Sequence, residues 1–305
     1  MHMQIISVFG RITAFLLCTA VSLNSQNLQN GKTIPNEPMN PVNVWVSVTD
    51  SQNRFFLGLK KENFAIYENN RRQSITSFDH PSVQTSIGII LDISNSMRNG
   101  STLKEAQNTI TRILETAGGK DEYFIVVFDR EIRIISPVAD LNLKQKNKEE
   151  IIKSRRRSAI YDAIYAGLDH CRQINRDKKA LILITDGEDN TSRHSRSEIF
   201  KYAGNSDVMI YAIMEGSRLG YGSYRIQDLA NTTGGKIFII NTFSNLDYFM
   251  KLIQAELHNQ YLLRYTPTNK KHDGKWRKIR VEVKAPKGIP NLTVRAREGY
   301  FAPKS

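Results

Sequence analysis

Two short stretches bring carboxylates and hydroxyls together in a way that suits a small, hard cation. In the first, the apolar run Ile87–Leu91 leads straight into Asp92-Ile93-Ser94-Asn95-Ser96, and in the second, Ala180–Ile184 ends in Thr185-Asp186-Gly187. Each acid therefore stands just beyond the carboxyl end of a short, wholly apolar segment that reads as a buried strand. Oxygen-only donors with few charges and room for water fit Mg²⁺ or Mn²⁺. Zn²⁺ asks for His or Cys, and Ca²⁺ for a fuller oxygen cage. Taken alone, Asp-x-Ser-x-Ser is an ordinary turn and helix-cap pattern. Its weight comes from its place at one strand end with a second acid at another.

Other chemistries lack their parts. A serine hydrolase needs His behind Ser, and no Gly-x-Ser-x-Gly elbow occurs. His80, His170, His194, His258 and His272 show no metal-ligand spacing, and Gly220-Tyr221-Gly222 lacks the third glycine of a dinucleotide fingerprint. No residue stands out as the general base of a metal-dependent phosphohydrolase. The reading is a protein that is not an enzyme and has no small-molecule substrate. Asp162 reads as a first-turn acid favoured by the helix dipole.

The elements that must position these acids alternate. Apolar runs at 87–91, 123–128, 132–135, 180–184, 208–213 and 237–240 are separated by segments of helical period, such as Leu103, Ala106, Ile110, Ile113 and Leu114, or Ile160, Ile164, Gly167 and Leu168. Strand and helix in alternation predict an α/β fold, a doubly wound, mostly parallel six-stranded Rossmann-like sheet over residues 85–257. One link, Asp129–Glu131, is too short for a helical crossover and predicts an antiparallel hairpin. In such a sheet the first and fourth strands are neighbours where the winding reverses. Asp92 and Asp186 would meet there, with Ser94 and Ser96 between them.

The flanks are β-rich. Val42, Val44, Val46 and Val48 alternate with Asn43, Trp45 and Ser47, predicting a strand with one buried face. Phe64–Glu68 meets Asn69-Asn70 and is expected to return as a hairpin through Ser74 to Phe78. Lys278 to Lys284 alternates strictly, and Leu292, Val294 and Ala296 repeat the pattern. Neither flank has strands enough to stand alone, so 42–80 and 258–305 are expected to pair into one small β unit with the α/β domain inserted between them.

Asp92-x-Ser94-x-Ser96, Ser158 before the helical Ala159-Ile160-Tyr161-Asp162-Ala163, and Thr185-Asp186-Gly187 resemble the metal-ion-dependent adhesion site (MIDAS) of von Willebrand factor type A (VWFA) domains. The flanks resemble those of a bacterial VWFA-related group common in acidobacteria. The resemblance implies Asp92, Ser94, Ser96, Ser158 and Asp186 as ligands of Mg²⁺ or Mn²⁺, directly or through water. It also implies that a Glu or Asp of a protein partner fills the open metal position, an adhesion mechanism in which no bond is made or broken. The chain departs from the family at Ser158, where Thr is usual, and at Arg155, Arg156 and Arg157, where small residues are usual. These arginines can compete with a cation or help hold an anionic ligand.

Charge and location complete the reading. The 305 residues carry 43 Lys and Arg against 30 Asp and Glu, a formal +13. The first acid is Glu37, and Arg11 precedes the apolar run Ile12–Leu23 with Ala20-Val21-Ser22 as a small-x-small cleavage pattern. A signal peptide over 1–22 and a polar linker over 23–41 follow, and the protein is expected in the periplasm, at the cell surface or outside. An uncleaved anchor that also uses Ile5–Phe9 is the alternative. Cleavage leaves Cys171 as the remaining cysteine, so the core holds the fold without an internal disulfide. Export argues against nucleic acid as partner. Residues 258–305 hold 12 Lys or Arg against three acids, or +9. Seven bases among Lys144, Lys146, Lys148, Lys153 and Arg155–Arg157 face Glu149 and Glu150. The C-terminal bases allow a second reading, a metal-independent binder of acidic polysaccharide, lipid headgroups or another anionic surface.

Overall fold

The computed structural model describes residues 40–80, 83–94, 97, 102–116, 121–129, 131–135, 158–187, 189–216, 221–289 and 291–304. The expected signal peptide, nearly all of the linker, Ser96, and the basic run from Lys144 to Arg157 lie outside the described residues.

Six strands form the central sheet: β5 (Thr85–Asp92), β6 (Glu122–Phe128), β7 (Ile132–Ile135), β8 (Lys178–Thr185), β9 (Val208–Glu215) and β10 (Ile237–Ile240). Their order is β10-β9-β8-β5-β6-β7. All pairs are parallel except β6–β7, the hairpin expected from its short link. Strand alternation divides the core into two layers. Ile87, Ile89 and Leu91 of β5 pack on one face with α1 (Thr102–Thr116) and α5 (Leu246–His258). Ile90 packs on the other with α2 (Ile160–Gln173), α3 (Arg196–Gly204) and α4 (Tyr221–Thr233). Gly88 lies on that second face because a Cβ there would meet the Phe124 ring at 2.2 Å. The helices dock by the spacing read above: Ile160, Ile164 and Leu168 are all buried.

The flanks build two antiparallel four-stranded sheets over one shared apolar core. One has the order β13-β1-β11-β4, from Thr293–Arg295, Val42–Thr49, Tyr261–Tyr265 and Ile75–Asp79. The other has the order β14-β12-β2-β3, from Gly299–Phe301, Trp276–Val283, Phe64–Glu68 and Arg71–Gln73. Each sheet draws strands from both ends of the chain. Two local expectations need correction. The hairpin turns at Asn69 and Asn70, both at positive φ, but its return strand is β3. At Ser74 the chain leaves that sheet, and β4 pairs with β11 instead, where Phe78 joins the Phe64 and Tyr261 rings. The first strand is also buried on both faces. Val44, Val46 and Val48 enter the β core, while Trp45 and Ser47 face the α/β domain at 6% and 2% exposure.

That second face carries the joint between the two parts. Glu256 of α5 accepts hydrogen bonds from the Ser47 hydroxyl (2.9 Å) and the Tyr211 hydroxyl (2.8 Å) and pairs with Arg295 of β13. Lys178, at the start of β8, donates to the Leu257 carbonyl and sits 4.0 Å from the Trp45 ring centroid. Burial lowers its pKa from the ordinary 10.5 to about 7, against the opposing pull of Glu256 and Asp121. Between these two values the unfolded chain holds a proton that the native protein has released, so stability rises with pH across that window. We expect urea midpoints of the wild type to increase from pH 7 towards pH 9, and Lys178→Met to remove that part of the increase. Parallel pH profiles of the two proteins would show the assignment to be wrong.

Candidate functional site

β5 and β8 run side by side in parallel, with Leu91 opposite Ile184, so Asp92 and Thr185 end on one edge. The chain leaves β5 towards α1 on one face and β8 towards α3 on the other, which makes this edge the point where the winding reverses. Asp92 is wholly buried. Its Oδ1 accepts from the Ser94 amide at 2.8 Å, and its Oδ2 accepts from the Thr185 hydroxyl at 2.6 Å and the Ser158 hydroxyl at 3.0 Å. Residues far apart in sequence thus meet on one carboxylate.

No Lys or Arg among the described residues answers that charge. Burial raises the Asp92 pKa, the charge of Asp186 adds to the rise, and the Thr185 and Ser94 hydrogen bonds oppose it. Asp186 stands half-buried just past β8, and with Glu105 it also raises Glu215, which burial already raises. Among the described residues no three His, Cys, Asp or Glu side chains gather as a metal-ligand group. The donor set is two carboxylates completed by hydroxyls. Such a set fits Mg²⁺ or Mn²⁺ and does not fit Zn²⁺.

Ser158 is held from the loop after β8. Its amide donates to Asn190 Oδ1 (2.9 Å), and the Asn190 amide donates back to its carbonyl (3.1 Å). The start of α2 has no side-chain cap of its own at Ala159. The same loop caps it: the Tyr161 amide donates to Asp189 (3.2 Å) and the Asp162 amide to Ser192 Oγ (3.1 Å). Asp162 is more than a first-turn acid. Its carboxylate accepts from the Arg193 amide, the His194 amide (2.9 Å) and His194 Nδ1 (2.7 Å), and the His194 ring stacks on Tyr165 at 4.1 Å. Although burial opposes it, these bonds from His194 and Arg193 hold the Asp162 carboxyl below the ordinary carboxylate range.

Of the residues singled out from sequence, Asp92, Ser94 and Ser158 come together, and Asp186 stands close enough for its charge to act on Asp92. Ser96, Arg155, Arg156 and Arg157 lie outside the described residues. The sequence reading did not assign site roles to Thr185 and Asn190. Thr185 had a signal, a hydroxyl at a strand end beside Asp186, whereas Asn190 acts through a contact across 32 residues.

Asp162→Asn should cost on the order of 2 kcal/mol, because it weakens several hydrogen bonds to a buried carboxylate. Arg193→Gln, whose side chain is 88% exposed, should stay within about 0.5 kcal/mol. Urea denaturation of both variants checks this, and equal losses would contradict the assignment of the clamp to Asp162.

Residues 87–188 match the family profile described as the von Willebrand factor type A domain. Similar solved structures include a von Willebrand factor type A protein from Catenulispora acidiphila (12% identity, 92% of this chain and 76% of that one, TM-score 0.44). Others are the ArnB paralog VWA2 from Sulfolobus acidocaldarius (16%, 84% and 75%, 0.41) and proximal thread matrix protein 1 from the mussel byssus (24%, 56% and 47%, 0.42). The chain thus spans about half the length of the mussel protein. No curated protein matches the chain. The profile match covers both strand ends that carry the acids, together with Ser158 between them, and the chain contains a von Willebrand factor type A domain.

Proposed function

We propose that this domain is an exported, non-catalytic recognition module that binds an acidic side chain of a protein partner through Mg²⁺ or Mn²⁺. The observation that carries the reading is Asp92: a fully buried carboxylate, bonded to hydroxyls and an amide, with the charge of Asp186 beside it. A fully buried carboxylate beside a second negative charge is unfavourable, and a hard dication among oxygen donors relieves it. Asp92, Ser94, Ser96, Ser158 and Asp186 would hold the ion. When bound, it supplies a positive position open to one further carboxylate oxygen. Thr185 keeps Asp92 oriented, and Asn190 keeps Ser158 in reach. Export is proposed on the N-terminal sequence pattern; among the described residues no helix is long and apolar enough to cross a membrane.

Calorimetric titration of the mature protein with Mg²⁺ and with Mn²⁺ should give saturable heat for at least one ion. Asp186→Ala, at a half-buried loop position, should fold and give none. If neither ion produces heat with the wild type, the reading fails.

One observation favours a second reading. The arginines of the C-terminal β segment are engaged: Arg264 with Asp79, Arg277 with Asp273, Arg280 with Glu282, Arg295 with Glu256 and Arg297 with Asp207. Its lysines, Lys270, Lys271, Lys275, Lys278, Lys284, Lys287 and Lys304, are all exposed, and none forms a salt bridge among the described residues. We propose as the alternative a metal-independent polyanion binder using these ammonium groups. It requires a steep loss of heparin binding with rising salt and indifference to chelator; a flat salt response rules it out.

A further inference from the structure

Beside the carboxylate pair lies a groove of about 680 Å³, walled by Ile132 and Arg133 of β7, Ala159 and Asp162 at the start of α2, and Thr191 and Arg193 of the loop after β8. Ala159 adjoins Ser158, whose hydroxyl bonds Asp92, so the groove opens directly next to the site. The charges on its walls are not equivalent. Asp162 is turned inward, its oxygens taken by the amides of Arg193 and His194 and by the His194 ring. Arg133 is exposed and forms no salt bridge among the described residues. The Arg193 guanidinium touches Asp162 through Nε alone, at 3.4 Å, which leaves its two terminal nitrogens to the groove. Glu131 at the rim is the one outward acid among the described lining residues. The Thr191 hydroxyl is shielded from solvent and has no hydrogen-bond partner among the described residues.

The apolar parts of the walls, Ile132 and Ala159, suit amino-acid side chains better than the hydroxyl-rich faces of a sugar polymer. β7 is also the edge strand of the sheet, with one side of its backbone unpaired among the described strands. We infer that this groove selects the partner by taking an extended acidic peptide segment. Arg133 and Arg193 hold its second carboxylate while the first occupies the Asp92–Asp186 site. For that first carboxylate the inference rests on the metal-dependent reading above.

The test is fluorescence anisotropy with labelled peptides carrying one Glu, or that Glu plus a second Asp at successive later positions. The mature protein is used with Mg²⁺ or with EDTA. With Mg²⁺ the best-spaced doubly acidic peptide should bind about tenfold tighter than the singly acidic one, the worth of one charge-assisted hydrogen bond. Arg133→Gln and Arg193→Gln should each erode that advantage and leave the singly acidic peptide and the Mg²⁺ heat unchanged, whereas Glu131→Gln should enlarge it. A second acid that adds nothing at any spacing overturns the inference, as do arginine variants that weaken both peptides alike. Alginate that binds as tightly as the best peptide overturns the peptide assignment. If the doubly acidic preference and its arginine dependence persist in EDTA, the groove stands and the metal reading falls.

Discussion

A carboxylate at the end of a fully buried parallel strand governs this molecule. Asp92 cannot be hydrated, and no basic side chain among the described residues neutralises it, so the surrounding loops are shaped to supply donors. Thr185 arrives because β8 is the neighbour of β5, and Ser158 arrives because the loop after β8 caps α2 and pulls its start over the strand ends. The clamp at Asp162 follows from the same need. Without it, the amides of Arg193 and His194 in the loop after β8 would lack the partner that fixes their position against α2.

The two β sheets solve a different problem. The chain enters and leaves the α/β domain through strands that must pair with each other, and β1 lies between two cores as a result. Its valines serve one core. Trp45 and Ser47 serve the other, through the Lys178 side chain and the Glu256 carboxylate. Glu256 has three partners, Ser47, Tyr211 and Arg295, drawn from the β unit and the central sheet. Buried charge of this kind tends to set one arrangement against near alternatives more than it adds stability.

The charge excess also divides by chemistry. Arginine, with a planar fork of donors, is used where the base is itself drawn away from solvent and must be met by an acid, as at Arg277, Arg295 and Arg297. Lysine, more strongly hydrated, is left on the outside of the C-terminal segment. The net charge of that segment overstates what it offers to a partner through guanidinium groups and describes well what it offers through ammonium groups.

The alternation of apolar runs and helical periods was enough to read the doubly wound sheet, its antiparallel hairpin and the placement of Asp92 and Asp186 at neighbouring strand ends, because each rests on local periodicity, link length and the winding of such sheets. Asn69-Asn70 was legible as a turn for the same local reason. The sheet switch at Ser74, the second buried face of β1 and the roles of Thr185, Asn190 and Asp162 were not. Each depends on which distant residue arrives opposite, across 32 residues for Ser158 and Asn190 and across 209 for Ser47 and Glu256. The sequence by itself determined that two carboxylates would stand at adjoining strand ends. Only the tertiary structure decided what answers them, because hydrogen bonds between loops are set by the packing of the helices that carry those loops and leave no period in the chain.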